Sequence, residues 1–240
     1  MKIAVTISTF RRKDNRTPFY LKRALDSVFE QEHQDFKIFL IGDEYDNLKE
    51  LISIASHYPK DKLRCINIKK AYERRKYLHL EDKHILWSCA GVTAINVAIT
   101  KALEEGFCYI AHLDHDDYWD KIHLKGINNL LQRGASFVCS KSQYGQFGVL
   151  PITNDTGENK IISYIPQPGK IINSSTCFNY NDLPFLYRNM YEICGQPIPA
   201  DSDLWDRMKR HIQNNSLKSY LINRITCFHP EEGYILYGGR

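Results

Sequence analysis

Apolar and polar positions alternate between two periods along the first half of the chain. Ile3 to Ile7 is a short apolar run, followed by a polar loop from Ser8 to Arg16. Leu21, Ala24, Leu25, Val28 and Phe29 then recur at helical spacing. Thr17-Pro18 ahead of them reads as a helix start, a cap residue with proline at the first helical position. Phe36 to Ile41 is the second strand and ends at Gly42-Asp43-Glu44. Leu48, Leu51, Ile52 and Ala55 mark a second helix, stopped before Pro59, and Leu63 to Ile68 a third strand. Strand, helix, strand, helix, strand predicts a parallel sheet covered on both faces. Ligands of such sheets bind beyond the carboxyl ends of the strands. That rule puts Thr9, Asp43 and a later aspartate cluster at one edge, although Asp43 alone also fits a turn or helix cap.

Lys69 to Lys83, KKAYERRKYLHLEDK, is dense in charge and reads as a solvated helix or excursion. If it folds over the site, Arg74, Arg75 and Lys76 meet an anionic substrate. Gly91 to Leu103 is an apolar helix in which Asn96 is the odd polar member, so it ties the helix to a loop or to ligand. The apolar run Phe107 to Leu113 stops at Asp114-His115-Asp116-Asp117. Asp120 caps the next helix, whose buried side is Ile122, Ile127, Leu130 and Leu131. Beyond Ala135 to Ser140, a further strand, glycines, prolines and polar turns dominate from Gly145 to Lys170. Ile161 to Ile165, Ile171-Ile172 and Tyr220 to Phe228 suggest strands, Ser202 to His211 a helix, and residues 234–240 a flexible tail. The second half therefore continues the same domain as a mixed or antiparallel sheet.

The aspartate cluster carries the chemistry. An extended backbone has a two-residue period, so Asp114 and Asp116 face one side just past the strand. Carboxylates held that close repel unless a cation or a ligand rich in donors sits between them. The plainer alternative is a surface turn. His112 packs or hydrogen-bonds within the strand, and His115 points away from the two aspartates.

Composition narrows the classes. A chain of 240 residues with 43% apolar and 25% charged residues buries a substantial core. A net charge of +4 favours an anionic ligand but is too small to imply nucleic acid. Seven cysteines with no CxxC pair suit reduced thiols in a cytoplasmic setting; Cys108, Cys139, Cys177 and Cys227 are expected in the core. No apolar run approaches the roughly eighteen residues of a membrane span, which leaves peripheral membrane association open. MKIAVTISTF lacks a cleavage site and reads as the first strand. Walker, GxGxxG, HExxH and GxSxG motifs are missing, so dinucleotide and serine-hydrolase chemistry have no direct support.

The order of ISTF, PFYLKRALDSVFEQEHQDFKIFLIGDE and GVTAINVAITKALEEGFCYIAHLDHDDYW resembles the inverting family 2 glycosyltransferases. The resemblance is strong to about residue 133 and thin afterwards. It implies a GT-A fold, an α/β single domain with a Rossmann-like, mostly parallel central sheet flanked by helices and a mixed C-terminal half. Residues 1–133 would bind a nucleotide diphosphate sugar, by default a UDP-sugar, and residues 134–233 a glycan acceptor of polysaccharide biosynthesis. By the same resemblance Thr9 and Phe10 line the nucleotide site and Asp43 accepts hydrogen bonds from the base. Asn96 matches a frequent asparagine of the preceding helix. Asp114 faces the ribose or the metal, Asp116 is the principal ligand of Mn²⁺ or Mg²⁺ in the DxD motif, and Asp117 organises the loop. Lys121 stands where proline is common.

The family's catalytic base belongs to an acidic pair ahead of a helix with an aromatic and an arginine. PADSDLWDR (Pro199 to Arg207) is similar, with Ala200 in place of the first acid. Asp201 matches the base, Asp203 is its competitor, and both also suit a helix start. His229 would contact metal or diphosphate. Acceptor contacts are expected between Tyr144 and Tyr191, from Asn173, Ser174, Ser175, Thr176, Asn179 and Tyr180. The alternatives are a sugar-phosphate nucleotidyltransferase or hydrolase, and a non-catalytic nucleotide-sugar or glycan-binding module.

Overall fold

A computed structural model of the chain describes residues 1–155, 157 and 160–230. Its first elements are β1 (Ile3–Thr9), α1 (Thr17–Phe29), β2 (Phe36–Asp43), α2 (Leu48–Ala55) and β3 (Leu63–Ile68). β1 pairs in parallel with β2, and β2 with β3. Side chains alternate across each strand. Val5, Ile38 and Leu40 meet α1 in one core layer, while Ala4, Phe39 and Ile41 join the opposite one. Burial on both faces explains why these strands read as continuous apolar runs.

The charged excursion forms two short helices, α3 (Tyr72–Tyr77) and α4 (Lys83–Cys89). It is not solvated throughout, since Ala71, Glu73 and Tyr77 are buried. Glu73 accepts from the Thr93 amide at 2.8 Å, and Ala71 N–H donates to Glu44 Oε1 at 2.6 Å, so the excursion is stitched to both sides of the sheet edge. Gly91, left-handed at φ 82°, separates α4 from α5 (Val92–Glu104). The stretch Lys83–Glu104 corrects the expectation on apolar runs: an 18-residue window within its 22 residues reaches a mean hydropathy of 1.4, enough by length and composition for a span. Here it is bent at Gly91 and 56% buried, its apolar side chains directed into the core.

β4 (Tyr109–His112) joins β1 in parallel and leads to β5 (Tyr118–Trp119) and α6 (His123–Leu131). β4 starts later than its apolar run because Gly106 closes α5, with Phe107 N–H donating back to Ala102 O at 3.0 Å. The second half supplies β6 (Phe137–Tyr144), β7 (Val149–Leu150), β8 (Ile161–Ser163), β9 (Thr176–Asn179), α7 (Met190–Cys194), α8 (Ala200–Asn214) and β10 (Ser219–His229). Strand order along the sheet is β3-β2-β1-β4-β9-β6-β10-β5, with β7 on β6 and β8 on β10. β9 runs antiparallel between β4 and β6, so the two halves share one sheet.

Four boundaries differ from expectation. Thr17 is the first helical residue and not the cap; its hydroxyl accepts from Arg12 N–H at 2.8 Å and donates to Phe10 O at 3.1 Å, fixing the loop after β1. Ile171-Ile172 is not a strand; it is buried apolar chain leading into a 3₁₀ turn, Asn173–Ser175. α8 begins at Ala200 behind Pro199, placing Asp201 and Asp203 in its first turn. Cys108 is half-buried, whereas Cys139, Cys177 and Cys227 lie in the core; all seven cysteines are free. The expected tail, residues 234–240, lies outside the described residues.

Candidate active site

The carboxyl ends of β1, β2 and β4 open on a cavity of about 250 Å³, lined among others by Thr9, Phe10, Asp43, Arg74, Asp114, Asp116, Asp201 and His229. Residues up to 220 positions apart in sequence meet there because the parallel strands all point to the same edge.

At one end Asp43 pairs with Arg74 of α3, whose guanidinium stacks over the Phe10 ring at 4.1 Å. Burial pushes the Asp43 carboxyl above its ordinary range, against the pull of Arg74. Asp43 Oδ1 and Thr9 Oγ1 are buried without a hydrogen-bond partner among the described residues. Buried polar atoms are normally satisfied, so two orphans in one wall mark a place for a ligand with polar groups.

The aspartate loop is braced from several sides. Asp114 Oδ1 lies 3.0 Å from His112 Nε2, and Thr6 Oγ1 lies 3.0 Å from His112 Nδ1. Burial opposes ionisation of Asp114, but the His112 contact and the neighbouring histidines outweigh it and hold the carboxyl below its usual value. Asp114 N–H donates to Ser174 Oγ at 2.9 Å, and Trp119 Nε1 donates to Ser174 O at 2.7 Å. Asp116 Oδ2 receives Arg12 Nη2 at 2.7 Å, and Arg23 Nη2 donates to the Asp116 carbonyl at 2.8 Å. Asp117 is fully buried, which raises its carboxyl to about 6, and its Oδ1 lies 2.6 Å from His229 Nδ1. Burial disfavours charge on His229 too, yet Asp117 and the loop's other carboxylates carry the imidazole up to about 9.

Across the cavity stands Asp201 in the first turn of α8. Its carboxyl is raised by burial and secondarily by the charge of Asp114, against a hydrogen bond from Ser202 N–H at 2.7 Å. Asp203 does not line the cavity. It is clamped by Arg188 Nη2 at 2.6 Å and Arg207 Nε at 2.8 Å, and despite burial these guanidinium groups hold its carboxyl below the ordinary value. Its expected role as a competing base is thereby corrected: both oxygens are engaged in ion pairs.

Asn96 also departs from the expected ligand-binding role. Its amide donates to Tyr187 O at 2.9 Å and accepts from Tyr187 N–H at 3.0 Å, so it ties α5 to the loop before α7. Of the expected acceptor set, only Asn173 lines the cavity. Ser174, Ser175 and Thr176 are buried and bond to neighbouring backbone. His115, expected to turn away, stands in the cavity wall and meets Phe10 edge-on at 5.4 Å, with burial lowering its affinity for a proton.

Three wall residues had no sequence signal strong enough to single them out: Tyr187, Trp87 and Ser8. Tyr187 donates to Asn173 Oδ1 at 2.6 Å. A lone aromatic in an irregular segment is indistinguishable from a core residue without its neighbours. Arg12 is visible in the basic run Arg11-Arg12-Lys13 only as charge; its partnership with Asp116 spans 104 positions.

A strand-edge cavity of this construction, with an aspartate loop after the central strand and a carboxylate on a late helix, defines a GT-A transferase. The sequence profile of glycosyl transferase family 2 matches residues 5–184. An uncharacterized glycosyltransferase, R139, of Acanthamoeba polyphaga mimivirus is 32% identical over 249 residues, covering 98% of this chain and 96% of that protein. The chain belongs to glycosyltransferase family 2 and is a glycosyltransferase.

Solved structures agree on the fold. The S. aureus TarS 1-349 structure superposes with a TM-score of 0.65 at 13% identity, covering 98% of this chain. The present chain spans 63% of that structure's length. A TarS 1-349 complex with UDP-GlcNAc gives 0.67 at 12% identity, over 96% of this chain and 58% of that one. The mannosyltransferase PcManGT from Pyrobaculum calidifontis, in complex with GDP-Man and Mn²⁺, gives 0.55 at 12% identity, over 97% and 58% of the two chains.

Proposed function

We propose that the chain transfers a glycosyl group from a nucleoside diphosphate sugar, a UDP-sugar by preference, to a hydroxyl of a glycan acceptor, with inversion and with a divalent cation. The observation that carries this reading is that Asp201 shares one cavity with Asp114 and Asp116. The orphaned oxygens of Asp43 and Thr9 suit the donor and acceptor groups of a nucleobase and ribose. TarS complexed with UDP-GlcNAc supports the choice of nucleotide.

The residues present fit a hard cation. Asp114 and Asp116 each commit one carboxylate oxygen, to His112 and Arg12, and both line the cavity. No group of three ligating side chains occurs among the described residues. That suits an ion held by one or two carboxylates together with substrate phosphates, as Mg²⁺ commonly is. Mn²⁺ or Mg²⁺ bound there would supply positive charge to the leaving diphosphate. His229, engaged by Asp117 and drawn toward its charged form, is assigned to the diphosphate rather than to the metal.

In the reaction the acceptor oxygen forms a bond to the anomeric carbon as the bond from that carbon to the diphosphate oxygen breaks. The bonding pair leaves with the nucleoside diphosphate, and the acceptor proton passes to the Asp201 carboxylate. Burial raises Asp201 toward the proton affinity useful to a general base. Reduced cysteines and a nucleotide-sugar donor both suit a cytoplasmic setting.

The test is binding and slow hydrolysis across a panel of UDP- and GDP-sugars with and without Mn²⁺, using wild type and Asp116→Ala. Metal-dependent binding of one donor, lost in the variant, is expected. A folded protein that binds none of them would overturn the assignment.

A further inference from the structure

Neither the donor contacts nor the base accounts for one wall of the cavity. Trp87 of α4 lines it and is 52% exposed, whereas the other two tryptophans, Trp119 and Trp205, are 3% and 0% exposed. What sets this indole apart is that its exposed part belongs to the cavity wall, where a ligand can cover it. Its placement is also fixed. Ile85, Ser88 and Cys89 bury the opposite side of α4, and Asp82 caps the helix by accepting from His84 N–H at 2.9 Å.

The surroundings distinguish what the indole serves. α4 packs on α7, and α7 runs through Pro197 to Pro199 into the first turn of α8, which delivers Asp201. Tyr191 and Glu192 of α7 lock this arrangement, the first edge-on to Tyr77 at 5.5 Å and the second accepting from Tyr77 Oη at 2.9 Å. The nucleobase end already has its own aromatic, Phe10, covered by Arg74. Asn173, Asp114 and Asp201 share the cavity wall with Trp87 and interrupt its apolar lining. An acyl chain needs a continuous apolar wall. An exposed indole face in one cavity with hydroxyl-binding groups matches a sugar ring, apolar on one face and polar at its rim.

We infer that Trp87 is the acceptor platform, on which the apolar face of a pyranose stacks while its attacking hydroxyl is directed at Asp201. This rests on the transferase reading above, and it narrows the acceptor to a glycosyl residue.

Acrylamide quenching of tryptophan fluorescence reads Trp87 selectively, because the other two indoles are buried. Methyl glycosides of glucose, galactose, mannose and N-acetylglucosamine serve as probes, with glycerol as a hydroxylated control lacking a ring. At least one glycoside, and not glycerol, should protect Trp87 from quenching. With the best donor from the panel, Trp87→Ala should raise the KM for that glycoside about tenfold, leave donor KM unchanged, and be rescued largely by Trp87→Phe. Protection by nucleotide sugar alone, or a change in donor KM, would place Trp87 in the donor subsite and overturn the inference. Absence of protection by every glycoside overturns it as well. Failure of all donors to bind would instead sink the transferase reading, since glycoside protection is measured without a donor.

Discussion

Asp201 and Asp203 stand two positions apart on α8 and have opposite surroundings. Asp201 faces the cavity with burial and Asp114 resisting its charge, whereas Asp203 is neutralised by two arginines. Asp201→Asn should lower kcat on the order of 10²–10⁴-fold with donor KM unchanged, measured by steady-state kinetics. The same change should not cost stability. An aspartate whose folded value is raised contributes most below its unfolded value of about 3.9 and loses that contribution as pH rises through the folded one. The variant should therefore melt at or above the wild-type Tm near neutrality, and the gap should close toward about pH 4. Asp203→Ala should behave in reverse, losing about 3 kcal/mol in urea denaturation by stranding Arg188 and Arg207, with residual kcat per folded molecule close to wild type.

Elements deliver these side chains through close backbone contacts. At the end of β2, Gly42 packs under Asn67 and Leu51; a Cβ there would meet Asn67 Oδ1 and approach Leu51 Cδ2 to 2.7 Å. Asn67 accepts from Tyr45 N–H at 3.0 Å and donates to Tyr45 O at 2.9 Å, so the turn carrying Asp43 depends on its position. Gly42→Ala should cost about 2 kcal/mol in a denaturant melt and weaken donor binding more than it slows turnover. The parallel half of the fold was legible because β1 and β2 are buried along almost their whole length and α1 and α5 each show an apolar stripe on one side. Asp43, Asp114 and Asp116 were legible as candidate site residues because each marks an abrupt polar end to an apolar strand, whereas Asp201 was singled out only through the resemblance of PADSDLWDR to the family's acidic pair. Arg74 was readable only conditionally, since its reach depends on how the excursion folds. For Asn96 the sequence left a loop tie and a ligand contact open, and Asp203 stood as a competing base; deciding either needs Tyr187 and Arg188, which lie in a segment without periodicity.

At the scale of the molecule the two halves are interleaved and not side by side. β9 supplies the antiparallel neighbour of β4, and β10 supplies the pairing for β5 just beyond the aspartate loop. A chain ending at residue 133 would expose the edge of its central strand and lose the part of the core that Phe137, Phe178, Leu204, Trp205 and Met208 supply. It should show no cooperative thermal transition by near-ultraviolet circular dichroism, whereas the full chain should unfold in a single step.

The position of β10 carries a consequence for how the enzyme is made. It enters the sheet between β6 and β5 as the last described strand, and it brings His229 to Asp117. On the ribosome the aspartate loop is therefore translated more than a hundred residues before its flanking strand and its imidazole partner. A nascent chain holds the acidic residues early but lacks the framework that orients them, so sugar nucleotides in the surrounding fluid are safe from it. Activity begins only after β10 has been made, and a message broken before that point yields an inert product.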